Sequence, residues 1–205
     1  ITDLRSAARK YQRFVLVGDP GAGKTTAMKS LGLAALDGSL YQSGQNPLPV
    51  FVELRRYATA GASLEAYLQV IFETSGFPKA TGFIRRSLDD GRLLLLFDGL
   101  DEVNEDGQQQ VIDGIRALAE KYPKNPMIVT SRTASYERQL DDLSDATVAV
   151  ANFNDIQIST FLRRWEFPPE KSGTRFMRIL RERPKILAIC RNPLMLTIVT
   201  SLYTE

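Results

Sequence analysis

Histidine is absent from the 205 residues, and cysteine occurs once, at Cys190. Without histidine the chain cannot carry Ser-His-Asp or Cys-His catalysis, a histidine-ligated metal or a histidine pH switch. A lone cysteine excludes an internal disulfide and a multi-cysteine zinc site, and it fits a reducing, cytoplasmic setting. Long apolar runs are also lacking. The strongest, Leu93–Phe97, is far shorter than the roughly 18 residues a membrane helix needs. Nor is there a large charge of either sign: Lys+Arg 26 against Asp+Glu 24 leaves +2, so no global field points to nucleic acid or a membrane surface. The opening Ile1-Thr2-Asp3-Leu4-Arg5 has neither an initiating Met nor a signal-peptide layout. The last residues, Leu194 to Tyr203, read as a helix still in progress. Both ends look cut, and a fragment of a longer protein is expected.

Hydrophobic residues at 43% and charged residues at 24% suit a globular chain able to bury one large core. Short apolar runs alternate with amphipathic stretches, the pattern of βα units and a parallel sheet. The expected strands are Phe14–Val17, Val50–Leu54, Leu93–Phe97, Met127–Thr130 and Thr147–Val150. Three are almost wholly apolar, as strands covered by helices on both faces are. Leu64, Leu68, Ile71 and Phe72 recur at helical spacing, as do Val111, Ile115, Leu118 and Tyr122. After Ala151 no convincing strand remains. Ile158, Phe161, Leu162 and Trp165 form one helical face capped by Asn154, broken beyond by Pro168-Pro169. Phe176, Ile179 and Leu180 mark a second helix, Pro184 opens a third, and Asn192-Pro193 reads as the cap and first turn of a fourth. Charge follows the same division: residues 152–205 hold nine Lys/Arg and five Asp/Glu, net +4, leaving −2 for the rest. The expectation is an α/β core over 1–151, a mostly parallel five-stranded sheet covered on both faces, and a small helical subdomain over 152–205.

Gly18-Asp19-Pro20-Gly21-Ala22-Gly23-Lys24-Thr25 matches G-x-x-x-x-G-K-[ST] at every fixed position, and Thr26 continues it. An apolar strand leads in and a helical pattern leads out, the order the motif requires. Glycines let the backbone curl so that successive N–H groups face phosphate oxygens, reinforced by the helix dipole. Lys24 is placed to reach the β- and γ-phosphates, and the Thr25 hydroxyl to ligate Mg²⁺. The second motif is Arg92–Glu102, an apolar strand followed by Asp98-Gly99-Leu100-Asp101-Glu102. An Asp at a strand end beside a phosphate loop holds the Mg²⁺ hydration shell, the role expected of Asp98. Gly99 lets the chain turn without a side chain clashing with nucleotide. Asp101 or Glu102 then orients a water for attack on the γ-phosphate. A third strand ends Thr130-Ser131-Arg132. Ligands sit at the carboxyl ends of parallel strands, so Arg132 faces the same crevice and can sense the γ-phosphate, or else it pairs with a nearby surface acid.

GDPGAGKTT, LLLLFDGLDE and IVTSR in this order resemble the NACHT family of P-loop NTPases. The stretches from Ala151-Asn152-Phe153 to Trp165 and Asn192-Pro193-Leu194-Met195-Leu196 resemble that family's helical extension. The resemblance implies a signalling ATPase of the STAND class, of the kind found in inflammasome sensors and antiphage defence. Such proteins rest with ADP bound, and exchange for ATP opens them and drives self-association. Effector and sensor domains are implied outside this stretch. So are ATP/ADP and Mg²⁺ as ligands, phosphate and Mg²⁺ binding by Lys24 and Thr25, Mg²⁺ binding by Asp98, hydrolysis supported by Asp101 or Glu102, a sensor role for Arg132, and a place near the adenine for Pro193. The winged-helix histidine that many animal members use against ADP has no counterpart here.

Two other functions compete with a slow nucleotide switch. A fast ATPase driving remodelling or nucleic-acid translocation needs an arginine finger, for which Arg85-Arg86 and Arg163-Arg164 are candidates, though each reads better as a solvated helix face. A nucleic-acid module would use Arg175, Arg178 and Arg181, but exposed aromatics for base stacking do not interleave with them, so nucleic acid is not an expected partner. Cys190 reads as a small buried hydrophobe and Trp165 as helix packing, with adenine stacking the lesser reading. No N-K-x-D guanine-reading motif follows Thr130, which favours ATP.

Overall fold

The computed structural model describes residues 3–41 and 46–205; Ile1 and Thr2 of the opening stretch lie outside the described residues. The chain forms two compact units, one of Ile1–Val17 with Lys24–Ala149 and the other of Gly18–Gly23 with Val150–Glu205.

In the first unit five strands form one sheet: β1 (Arg13–Val17), β2 (Leu48–Glu53), β3 (Leu93–Asp98), β4 (Met127–Ser131) and β5 (Ala146–Ala149). Their spatial order is β2-β3-β4-β1-β5, and every pairing is parallel. The second strand begins two residues earlier than its apolar core suggests, with Leu48 and Pro49 paired to Leu93 and Leu94. Proline lacks an N–H, and β2 tolerates it because it is an edge strand. Leu54, expected in that strand, instead opens helix α3 (Leu54–Ala58). The last strand likewise starts one residue early, where Ala146 pairs with Phe14.

The remaining helices of this unit are α1 (Leu4–Lys10), α2 (Lys24–Leu36), α4 (Leu64–Thr74), α5 (Thr81–Asp89) and α6 (Glu105–Lys121). Alternation along the strands assigns side chains to two faces. Val15, Val17, Leu95, Phe97 and Val129 pack with Leu68 of α4, Leu88 of α5 and Ile115 of α6. Phe14, Leu16, Leu94, Leu96 and Ile128 point the other way and are equally buried. Helix α2 covers that face closely: a Cβ at Gly32 would lie 3.4 Å from Leu96 Cδ1. Burial on both faces explains why β3 is a near-continuous leucine run, each leucine contributing about 1.5–3 kcal/mol.

The amino ends of the strands are tied by a buried polar residue. Asn125, fully buried, donates from Nδ2 to the Leu88 carbonyl at 2.8 Å and the Tyr122 carbonyl at 3.2 Å, and its Oδ1 accepts the Leu93 N–H at 3.2 Å. It joins the ends of α5 and α6 to the start of β3.

The second unit contains α7 (Asp155–Arg164), α8 (Gly173–Arg181), α9 (Pro184–Cys190) and α10 (Pro193–Thr204). Asn154 and Gln157 form a reciprocal capping box at α7, and Pro184 and Pro193 occupy the first turns of α9 and α10 as expected. The core gathers Ile158, Leu162, Phe176, Met177, Leu180, Cys190 and Leu196. Helix α7 stops at Arg164, one residue short of Trp165. Met177 takes the central place on α8 while Ile179 is only half-buried. Burial holds the Cys190 thiol above its usual pKa.

Replacing Asn125 with Ala should destabilise the protein by about 2–3 kcal/mol, because the buried Leu93 N–H and Leu88 carbonyl lose their partner. Urea unfolding reads the change directly; an unaltered midpoint would remove Asn125 from the account of how the sheet is anchored.

Candidate functional site

The carboxyl end of β3 carries an acid bonded from two different elements. Asp98 is its last residue, and both carboxylate oxygens accept hydroxyl hydrogen bonds. Thr25 Oγ1, in the first turn of α2, donates to Oδ2 at 2.8 Å. Thr130 Oγ1, on β4, donates to Oδ1 at 2.6 Å and accepts the Gly99 N–H at 2.8 Å. Strand pairing of Phe97 with Val129 brings these groups together, and Thr130 is fully buried. Gly99 adopts φ +78, and a Cβ there would sit 3.1 Å from the Glu102 carboxyl carbon. Within the chain, the glycine lets Glu102 fold back over the turn.

The three acids of the turn therefore have different surroundings. The Asp101 side chain is 4% exposed and pairs with Arg132 Nε at 2.8 Å, while its Oδ1 accepts the Arg132 N–H at 2.9 Å. Arg132 thus pairs with an acid, though with the enclosed Asp101 rather than a surface one. Glu102 lies in the open: with Thr25, Lys29 and Asp98 it lines a cavity of about 440 Å³. Glu53, Arg55 and Arg56 line it too. Arg56 pairs with Glu53 at 2.7 Å, whereas no carboxylate among the described residues lies within 4 Å of Arg55. Both arginines were missed from the sequence, although they directly follow a parallel strand, the position where ligand-binding groups collect.

In the second unit the loop Gly18–Gly23 packs against the head of α10. Gly21 and Gly23 have φ +74 and +89, and Ala22 N–H donates to the Asp19 carbonyl at 3.1 Å. Asn192 Nδ2 donates to the Pro20 carbonyl at 2.9 Å, and the Leu194 N–H to the Gly21 carbonyl at 3.3 Å. The same Asn192 caps α10, its Oδ1 accepting the Leu194 and Met195 N–H groups. A Cβ on Gly21 would lie 2.6 Å from Leu194 Cβ. Pro193 thus stands between two residues that hold the loop. In sequence Asn192 reads only as a helix cap; its grip on the loop is visible only in three dimensions. Gly18 begins the loop, Lys24 opens α2, and Thr26 is exposed in its first turn.

Trp165 is half-buried beside Phe161, ring centroids 5.5 Å apart. Arg85, Arg86, Arg163 and Arg164 are exposed. Among the described residues no group of three or more His, Cys, Asp and Glu could hold a metal. The hydroxyl of Thr25 beside the Asp98 carboxylate instead forms an all-oxygen pair, which fits Mg²⁺, an ion that takes one or two protein ligands and fills its octahedron with phosphates and water. No helix among the described residues is long and apolar enough to cross a membrane.

A phosphate-loop sequence between β1 and α2, with the acidic end of β3 hydrogen-bonded to the loop's threonine, defines a nucleotide-binding P-loop NTPase. The family model of the NACHT domain matches residues 12–167, and the chain belongs to that family. No curated protein matches the sequence. Among solved structures, the E. coli MS115-1 HORMA:CdnC:Trip13 complex contains a chain similar at TM-score 0.52 and 18% identity, over 83% of this chain and 59% of that one. C. elegans PCH-2 matches at TM-score 0.47 and 17% identity, over 83% and 41%. AMPPCP-bound DnaA from Aquifex aeolicus matches at TM-score 0.45 and 16% identity, over 87% and 61%. The chain spans about 40–60% of the length of these structures, and similarity at such identity concerns the fold alone.

Thr130→Val preserves shape but removes one hydroxyl from Asp98 and the acceptor of the Gly99 N–H. It should cost about 1–3 kcal/mol of stability and weaken Mg²⁺-dependent nucleotide binding, read by titrating nucleotide with and without Mg²⁺. Equal affinity to wild type under both conditions would show that the Asp98 network does not position the ion.

Proposed function

We propose that this chain is the nucleotide-operated centre of a signalling switch that binds ATP or ADP with Mg²⁺ and hydrolyses ATP slowly. The observation that carries this reading is the bonding of Asn192 and Leu194 to the Pro20 and Gly21 carbonyls. Because these contacts tie the loop to α10, any shift of the loop on nucleotide exchange would be felt at the head of that helix. A plain hydrolase has no need of that linkage.

In this reading the N–H groups of Gly18–Gly23 cradle the phosphates and Lys24 neutralises them. Mg²⁺ held by Thr25 and Asp98 would offset phosphate charge. Glu102 is the carboxylate that takes the proton from the attacking water, because it alone of the pair Asp101 and Glu102 lines the cavity with Thr25 and Asp98. Asp101 and Arg132 instead brace the turn that carries Glu102. Arg55, on the wall of the same cavity, supplies positive charge toward the γ-phosphate. Pro193 flanks the adenine, a placement supported by the family resemblance and by its position beside the loop. Exchange of ADP for ATP controls self-association, with effector and sensor domains elsewhere in a longer, cytoplasmic protein of innate-immune or antiphage type.

Lys24→Ala should lower nucleotide affinity tenfold or more, roughly the loss of one charge-assisted phosphate contact; unchanged affinity would sink the assignment of Lys24. Glu102→Gln should retain binding and slow hydrolysis by about a hundredfold or more, with Asp101→Asn costing less turnover and more thermal stability. The reverse ranking would make Asp101 the base. Chromatography of nucleotide released on denaturing the purified protein tests the switch: stoichiometric ADP supports it, and rapid turnover from an empty protein favours the motor-like ATPase.

A further inference from the structure

One arginine-rich concave surface of the second unit is not explained by the nucleotide reading. Helices α7 and α8 enclose a depression of about 590 Å³ whose wall includes Arg163, Arg175, Arg178 and Arg181, and no acidic residue. The four guanidinium groups belong to exposed residues. Arg163 bonds only the Thr160 hydroxyl, at 3.1 Å. Arg181 comes no nearer than 3.9 Å to Asp155, which is held more tightly by Arg191 at 2.9 Å. Among the described residues no carboxylate lies within 4 Å of Arg175 or Arg178. Like charges gathered without counter-charge repel one another, and an anion bound among them relieves that repulsion.

The wall is assembled by close packing. A Cβ on Gly173 would lie 2.7 Å from the Leu162 carbonyl oxygen, so only glycine lets the first turn of α8 approach the end of α7 and bring Arg163 alongside Arg175 and Arg178. Ser159, Ser172 and Thr174 lie in the same wall; the Ser159 hydroxyl donates to the Asp155 carbonyl at 2.8 Å and Ser172 Oγ accepts the Arg175 N–H at 3.3 Å. Guanidinium forks with adjacent hydroxyls match the oxygens of phosphate groups, which arginine binds through paired N–H donors.

We propose that this depression binds a compact small molecule bearing two or more phosphate groups, at a site separate from the phosphate loop. Compactness follows from the distribution of charge. The arginines are confined to one depression of small-ligand size, whereas a nucleic-acid strand needs an extended basic track with aromatic platforms.

Inorganic triphosphate is a suitable probe, titrated calorimetrically into the full chain carrying Lys24→Ala to weaken the phosphate loop. The expected result is saturable binding that falls tenfold or more on adding Arg178→Ala or Arg175→Ala. Arg183→Ala, an exposed arginine outside the depression, removes the same charge and should change affinity less than twofold. Arg178→Lys keeps the charge without the fork and should fall between. Circular dichroism melts of each variant confirm folding. Absence of triphosphate binding in the Lys24→Ala protein overturns the proposal. So does equal weakening by Arg183→Ala, which would reduce the effect to net charge. A labelled single-stranded 20-mer that binds more tightly than triphosphate, and is lost with Arg178→Ala, would likewise overturn it and reassign the surface to nucleic acid.

Discussion

The bonded carboxylate of Asp98 is the constraint around which the first unit is organised. A carboxylate at the end of a buried leucine strand loses part of its hydration, and the loss must be offset by donors. Here the offset comes from two hydroxyls on different elements, Thr25 of α2 and Thr130 of β4. Each is delivered by something larger. The register of β3 against β4 brings Thr130 into reach, and the strand-loop-helix passage brings Thr25. A one-residue slip of β3 would turn Asp98 to the opposite face, away from Thr25 and Thr130.

Fold and chemistry are therefore coupled at the turn after β3. Gly99 takes a left-handed conformation that its neighbours could not adopt cheaply, and the chain then separates two adjacent acids into unlike surroundings. Asp101 is enclosed and neutralised by Arg132, giving the turn a rigid brace. Glu102 is left on the cavity wall. Burial and pairing, rather than residue type, set the two carboxylates apart.

The second unit uses the same economy of small residues. Gly21 permits the loop to touch Leu194, and Gly173 permits α8 to touch the end of α7. The first contact links a phosphate loop to a helix; the second builds an arginine wall. In both cases the absent Cβ sets an interhelical or loop-helix distance that no larger side chain allows, and the polar groups nearby inherit their positions from it.

The sequence by itself determined the five strands to within two residues, the helix caps at Asn154 and Asn192, the first-turn proline at Pro184, and the phosphate-loop and acidic motifs. These are local signals, since periodicity, caps and glycine spacing act over a few residues. It did not show that Asp101 would be enclosed by Arg132 while Glu102 stays exposed, because Arg132 lies 31 residues from Asp101 in sequence and is brought beside it by the sheet. Pro49 fell outside the expected strand, whereas its place in β2 depends on that strand lying at the sheet's edge. Arg55, the loop-holding role of Asn192, the anchoring role of Asn125 and the acid-free arginine wall are likewise products of tertiary structure. Each depends on which distant groups strand register and helix packing bring within a few ångströms, and no short-range pattern encodes those distances.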